Sequence, residues 1–142
     1  MNFSEPLAAA FIAAPVPGLP ASLSNLAYRH QNSTEAQASP MLICIQTSST
    51  NVTRASLRKV EWQVQLVTDP DSTPPTDAPL ALEVIEAHME SPTFIAALKA
   101  QLSPAKALVS YRTTGMPPIK IDDRIITDTI TGTAHIGINA PS

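Results

Sequence analysis

Lys59-Val-Glu-Trp-Gln-Val-Gln-Leu66 decides the fold class. Val60, Trp62, Val64 and Leu66 alternate strictly with Lys59, Glu61, Gln63 and Gln65. Successive side chains of a strand point to opposite faces, so this period of two predicts a strand with one buried face. The other face is polar, and it is either solvated or pressed against a partner. Trp62 lies on the apolar side, so something must cover it.

Upstream, Met41-Leu-Ile-Cys-Ile-Gln-Thr47 reads as a strand apolar enough for burial on both faces. Between these two strands lies the polar stretch Ser48–Arg58, with hydroxyl residues at its start and the cations Arg54 and Arg58. Its length exceeds an ordinary hairpin connection and predicts a long loop that a neighbouring subunit orders. Further upstream, Leu7, Ala10, Phe11 and Ala14 make one apolar stripe and predict a helix over 5–14. Ser4 is the expected cap, and Pro6 is tolerated in the first turn. A polar segment, Gln31–Ser39, separates this helix from the first strand.

Downstream, the 14 prolines parse the chain, because proline removes a ladder donor and breaks helix interiors. After the turn Asp69–Asp77, a helix over about 78–90 places Leu80, Val84, Ile85, His88 and Met89 on one face. Glu83, Glu86 and Glu90 take the other. A second helix follows almost without a linker: Ser91 caps it, Pro92 takes its first position, and Phe94, Ile95, Leu98 and Leu102 bury. Ala107–Thr114 and Ile119–Ile121 read as further strands. Arg124–Ile138 reads as a long one, with Ile126, Ile130, Ala134, Ile136 and Ile138 on the core face. Thr127, Thr129, Thr131, Thr133 and His135 occupy the opposite face. Asp128 and Gly132 interrupt the apolar row and predict a bulge or kink. One-sided strands flanking paired helices predict a single α+β domain over 1–142. Its antiparallel or mixed sheet of four to five strands carries helices on one face.

Composition narrows the functional classes. Hydrophobic residues make up 44% of the 142 residues and charged residues 15%, which suits a packed core rather than a disordered chain. The net charge of -3 carries no basic run, which argues against sequence-specific nucleic-acid binding. The apolar stretch Leu7–Ala14 is too short to span a membrane, and Met1-Asn-Phe-Ser-Glu5 lacks the basic leader of an export signal. The chain is therefore expected in a cytoplasm or a particle assembled there.

Catalytic and metal chemistry find little to build on. His30, His88 and His135 are widely spaced, and His88 falls on an apolar helix face. Cys44 sits in an apolar run where a thiol is packing, and one cysteine forms no internal disulfide. Asp69-Pro-Asp71 and Asp122-Asp123 read as turn formers. Four glycines leave no phosphate-cradling loop, and no G-x-S-x-G elbow occurs. Asn32-Ser-Thr34 and Asn51-Val-Thr53 match the glycosylation sequon by chance if the chain is not exported. No enzyme, cofactor or metal is expected. The polar sheet face, with Gln63, Gln65 and the threonine row, suits subunit packing better than chemistry.

The order of elements resembles tailed-bacteriophage tail terminator and tail completion (neck) proteins. The resemblance rests on a short opening helix and the strand Pro40-Met-Leu-Ile-Cys-Ile45. A polar loop, a strand ending in Gln63-Val-Gln-Leu-Val-Thr-Asp69, the helical segment Leu80–Leu102, and the closing strands at Tyr111 and Asp122-Asp-Arg-Ile-Ile-Thr-Asp-Thr-Ile130 complete it. The resemblance covers roughly residues 5–138 and is one of pattern. It implies a structural virion protein, assembled in the host cytoplasm, that forms a homo-oligomeric ring, commonly a hexamer. Such a ring caps the tail tube and meets the head–tail connector or neck protein. The implied subunit-interface residues are Arg54, Arg58, Thr127, Thr129, Thr131 and Thr133, with the Arg124–Ile138 strand expected at a sheet edge. A connector or neck role, or a non-viral adaptor or ligand-binding domain, is the alternative.

Overall fold

The computed structural model describes residues 3–31, 40–53, 57–74, 76–102, 106–116, 120–122 and 125–138. The elements in chain order are α1 (Ser4–Ala13), β1 (Ala27–His30), β2 (Met41–Thr53), β3 (Leu57–Thr68), α2 (Asp77–Met89), α3 (Pro92–Leu102), β4 (Lys106–Gly115), β5 (Lys120–Asp122) and β6 (Ile125–Ile138). The strands form one mixed sheet in the order β1-β2-β3-β6-β4, and β5 also pairs with β6. The β1–β2 pairing is parallel and the other described pairings are antiparallel. The architecture is α+β.

Alternation in β3 and β6 builds the core. Val60, Trp62, Val64 and Leu66 join Ile130, Ala134 and Ile136 in one buried cluster with Leu7, Phe11, Ile85, Met89, Phe94 and Leu98 of the helices. Trp62 is 1% exposed. Its ring stacks on Tyr111 at 5.4 Å, and tilted or stacked aromatic contacts continue through Phe94 and Phe11 to Tyr28. His88 sits inside this cluster and donates its Nε2–H to the Ala14 carbonyl at 2.6 Å, tying the end of α1 to the end of α2. As expected, Ser91 starts α3: its hydroxyl accepts from the Phe94 N–H, and Pro92 takes the first helical position.

Several expectations are corrected. Phe3, not Ser4, precedes the first turn of α1, and Ser4 is buried inside that turn. Leu80 is 55% exposed, because the core face of α2 runs through Ala78, Ala81, Leu82, Ile85, His88 and Met89. Polarity there misled, since small alanines rather than Leu80 let the helix approach the sheet. The stretch Ser48–Arg58 is no long loop. β2 continues to Thr53 and pairs Ser49 with Val60, Thr50 with Lys59 and Asn51 with Arg58. Its serines and threonines satisfy a β-ladder as well as a loop, so only 54–56 connect the strands. β1, with every residue half-buried, escaped notice because four residues show no period.

The expected bulge in β6 is absent: β3 and β6 pair without a shift from Leu57–Gly137 to Thr68–Ile126. The shifts fall in β4, between Leu108 and Ser110 and between Thr113 and Gly115, and in β2 between Gln46 and Ser48 and between Asn51 and Thr53. Gly132 has a different purpose. A Cβ there would lie 2.0 Å from Trp62 Cζ2 and 2.6 Å from the Arg112 carbonyl oxygen, so the indole rests directly on the glycine backbone. Lastly, β6 is an interior strand, flanked by β3 and by β4 and β5, and not a sheet edge.

Candidate functional site

Among the described residues nothing covers the sheet face opposite the helices, and the interface candidates fall on it in part. Thr127, Thr129, Thr131 and Thr133 project from β6 away from the core, each half-buried between flanking strands. Across β3 they pair with Val67, Gln65, Gln63 and Glu61, so the face is a ladder of hydroxyls and amides with little charge. Gln65 donates an amide N–H to Gln63 Oε1 at 3.2 Å, and Thr131 donates to the Gly115 carbonyl at 3.2 Å. A shallow pit of about 210 Å³ opens in this face, lined by Thr47, Glu61, Gln63, Thr114, Thr131 and Thr133.

Arg58 lies apart from this row. Its guanidinium donates to Ser49 Oγ and Asn51 Oδ1, both at 2.9 Å, and so braces the β2–β3 hairpin from within. Asn51 is consumed by the same contact. Arg54 lies outside the described residues, as does Asn32.

Charge on the face gathers at its upper end. Glu61 accepts from Ser48 Oγ at 3.0 Å and stands 3.8 Å from Lys59 Nζ. His135 pairs with Lys59 across the ladder, and its Nδ1 lies 2.8 Å from Ser110 Oγ. A hydroxyl beside an imidazole is the start of a nucleophile–base pair, yet no described carboxylate bonds the other ring nitrogen. The pair joins Ser110 of β4 to its ladder partner His135 of β6 on a flat sheet face. It reads as a cross-strand contact.

Cys44 and Tyr111 are packing groups. Burial pushes the Cys44 thiol far above its ordinary range, which makes it unreactive. Burial chiefly, with Cys44 and Glu90 adding to it, raises the Tyr111 phenol as well. Asp69 organises its turn, accepting from Asp71 N at 2.9 Å and Thr73 N at 2.8 Å, as the Asp-Pro-Asp reading expects. Asp128 is the exception. It is 1% exposed, neither carboxylate oxygen has a hydrogen-bond partner, and burial raises its pKa. The sequence registered it only as a break in an apolar row.

A second concavity, about 350 Å³, lies between α1 and β1, with Glu5, Ala8, Ile12, Tyr28, Arg29 and His30 in its walls. Among the described residues, no group of three His, Cys, Asp or Glu side chains is placed to hold a metal ion, and no helix is long and apolar enough to cross a membrane. No protein-family model matches the chain, and no curated protein matches it in sequence.

Proposed function

We propose that this chain is a structural ring subunit of the tail terminator or tail completion kind, placed in the neck of a tailed bacteriophage particle. The observation that carries the reading is the uncovered sheet face. It is wide, ordered and almost uncharged along Thr127–Thr133, so a partner that hydrogen-bonds its hydroxyls and amides covers it at less cost than a charged face. Helices crowd the other face and pack the core there, which leaves the ladder free for contact. In the ring, this face meets the tail tube on docking, and the head–tail connector or neck protein takes a neighbouring surface. The work is done by shape, without catalysis, and a closed ring of identical subunits matches the rotational symmetry of the tube it ends.

Light scattering coupled to size-exclusion chromatography, with negative-stain electron microscopy of the peak, tests this. The expected result is a closed annulus of one size. A monomer at every concentration would overturn the reading. One observation favours the adaptor or ligand-binding alternative, namely the groove between α1 and β1 with its charged walls. A monomer whose melting temperature rises with a small-molecule ligand, and falls back on Ile12→Lys, would establish that reading instead.

A further inference from the structure

The two edges of the sheet are complementary in direction, height, charge and exposed apolar surface. β1 pairs only with Met41–Cys44, so among the described residues no strand lies beside Ile45–Thr53 of β2. No residue of that stretch is charged and none is proline, two of the devices that keep an edge from pairing. A third, the β-bulge, interrupts it between Gln46 and Ser48 and between Asn51 and Thr53 and leaves Ser48–Asn51 regular. At the opposite edge, β4 is likewise open among the described residues. Pairings through the sheet put both open edges on the same rungs. Ser48, Glu61, Thr133 and Arg112 share one rung, and Thr50, Lys59, His135 and Ser110 share another. The bulges leave Ser48–Asn51 and Ser110–Thr113 as the regular parts of the two edges, and these overlap on the rungs of Thr133, Ala134 and His135.

Direction also fits. β2 is antiparallel to β3, β3 to β6, and β6 to β4, so β4 runs opposite to β2. Copies related by rotation about an axis roughly along the strands would set the β4 edge of one against the β2 edge of the next as an antiparallel ladder. Pairing on the same rungs adds no axial step, which is the condition for a ring rather than a filament.

We infer that copies of this chain join edge to edge, Ser48–Asn51 of one copy against Ser110–Thr113 of the next. This rests on the ring reading above and specifies its contact. Arg112 is exposed on the open face and makes no ion pair among the described residues. In the joined sheet it comes within reach of Glu61 of the adjacent copy on the same rung. Val52, 47% exposed at one β2 bulge, and Val109, 63% exposed at one β4 bulge, meet at the same end of the contact and bury apolar surface there. At the lower end, the Gln31 side chain accepts from the Gln46 N–H and closes off the open stretch where β1 stops.

Two experiments test the contact. The Thr50→Cys/Ser110→Cys double variant, oxidised at its assembly concentration, is expected to give a ladder of disulfide-linked oligomers on a non-reducing gel. Each single variant stays monomeric on that gel, and buried Cys44 does not compete. Dimers from Thr50→Cys alone would mean that β2 edges pair with each other and would overturn the inference. Glu61→Arg alone and Arg112→Glu alone are each expected to weaken association about tenfold or more. An equimolar mixture of the two is expected to assemble, since every junction of an alternating ring then joins opposite charges. If the double cysteine variant assembles with no cross-link and the mixture recovers nothing, the ring reading stands and this contact falls. If the unmodified chain is monomeric throughout, both fall.

Discussion

Two neighbouring residues of β6, Ile130 and Thr131, experience different environments. Ile130 is fully buried among helix side chains, while Thr131 stands half-buried in an uncovered ladder with Gln63 opposite. The same contrast runs through β3, where Trp62 is core and Gln63 is face. One face of the sheet is closed by packing and has no freedom to change; the other is held in place by the same backbone and carries little of the stability.

Substitutions sharpen this contrast in order of expected effect. Gly132→Ala is the most damaging, because its Cβ would collide with both the indole and a backbone oxygen. It should cost more than about 4 kcal/mol, a large share of the stability of an ordinary domain. In a Trp62→Ala background the part owed to the indole disappears and the part owed to the Arg112 carbonyl persists, so the two changes are strongly non-additive. Trp62→Ala alone should cost about 3–5 kcal/mol by denaturant titration. A loss below about 1 kcal/mol would place Trp62 on the wrong face. His88→Ala leaves the Ala14 carbonyl without its donor and should cost about 1–3 kcal/mol, mostly by loosening α1.

Asp128→Asn is the smallest of these and has the opposite sign. The raised pKa means that the folded chain holds this proton more tightly than the unfolded chain. Stability therefore falls as pH rises from the ordinary carboxylate range through the raised value. Removing the charge should raise neutral-pH stability by about 1 kcal/mol and flatten that part of the pH profile. A variant less stable at neutral pH would show that the carboxylate has a partner in solution.

The strictly periodic segments were legible in the sequence. The faces of β3 and β6, the break at Pro92 and the burial of Trp62 all follow from alternation and proline chemistry. Elements without a period were not. β1 is too short to show one, and the upper half of β2 hides its strand character in serine and threonine, which serve loops equally well. Long-range pairing was beyond reach too: nothing local tells that β6 lies between β3 and β4, and that placement moved the threonine row from an edge to a face. The open face was legible as a surface. The shared height of Arg112, Glu61 and the bulged valines became visible only when the register aligned them across the sheet.

The most direct test of the account is tube capping by the double variant Thr129→Lys/Thr131→Lys. Both lysines would project from the open face, so the melting curve should match that of the unmodified chain within about 0.5 kcal/mol. Polymerised with its cognate tail tube protein, the unmodified chain should end each tube with a ring and halt its growth. The double variant, still folded and still a ring, should leave tubes uncapped and growing. Capping by the variant at the unmodified level would contradict the assignment of the open face, and an unmodified chain that never binds the tube would contradict the function itself.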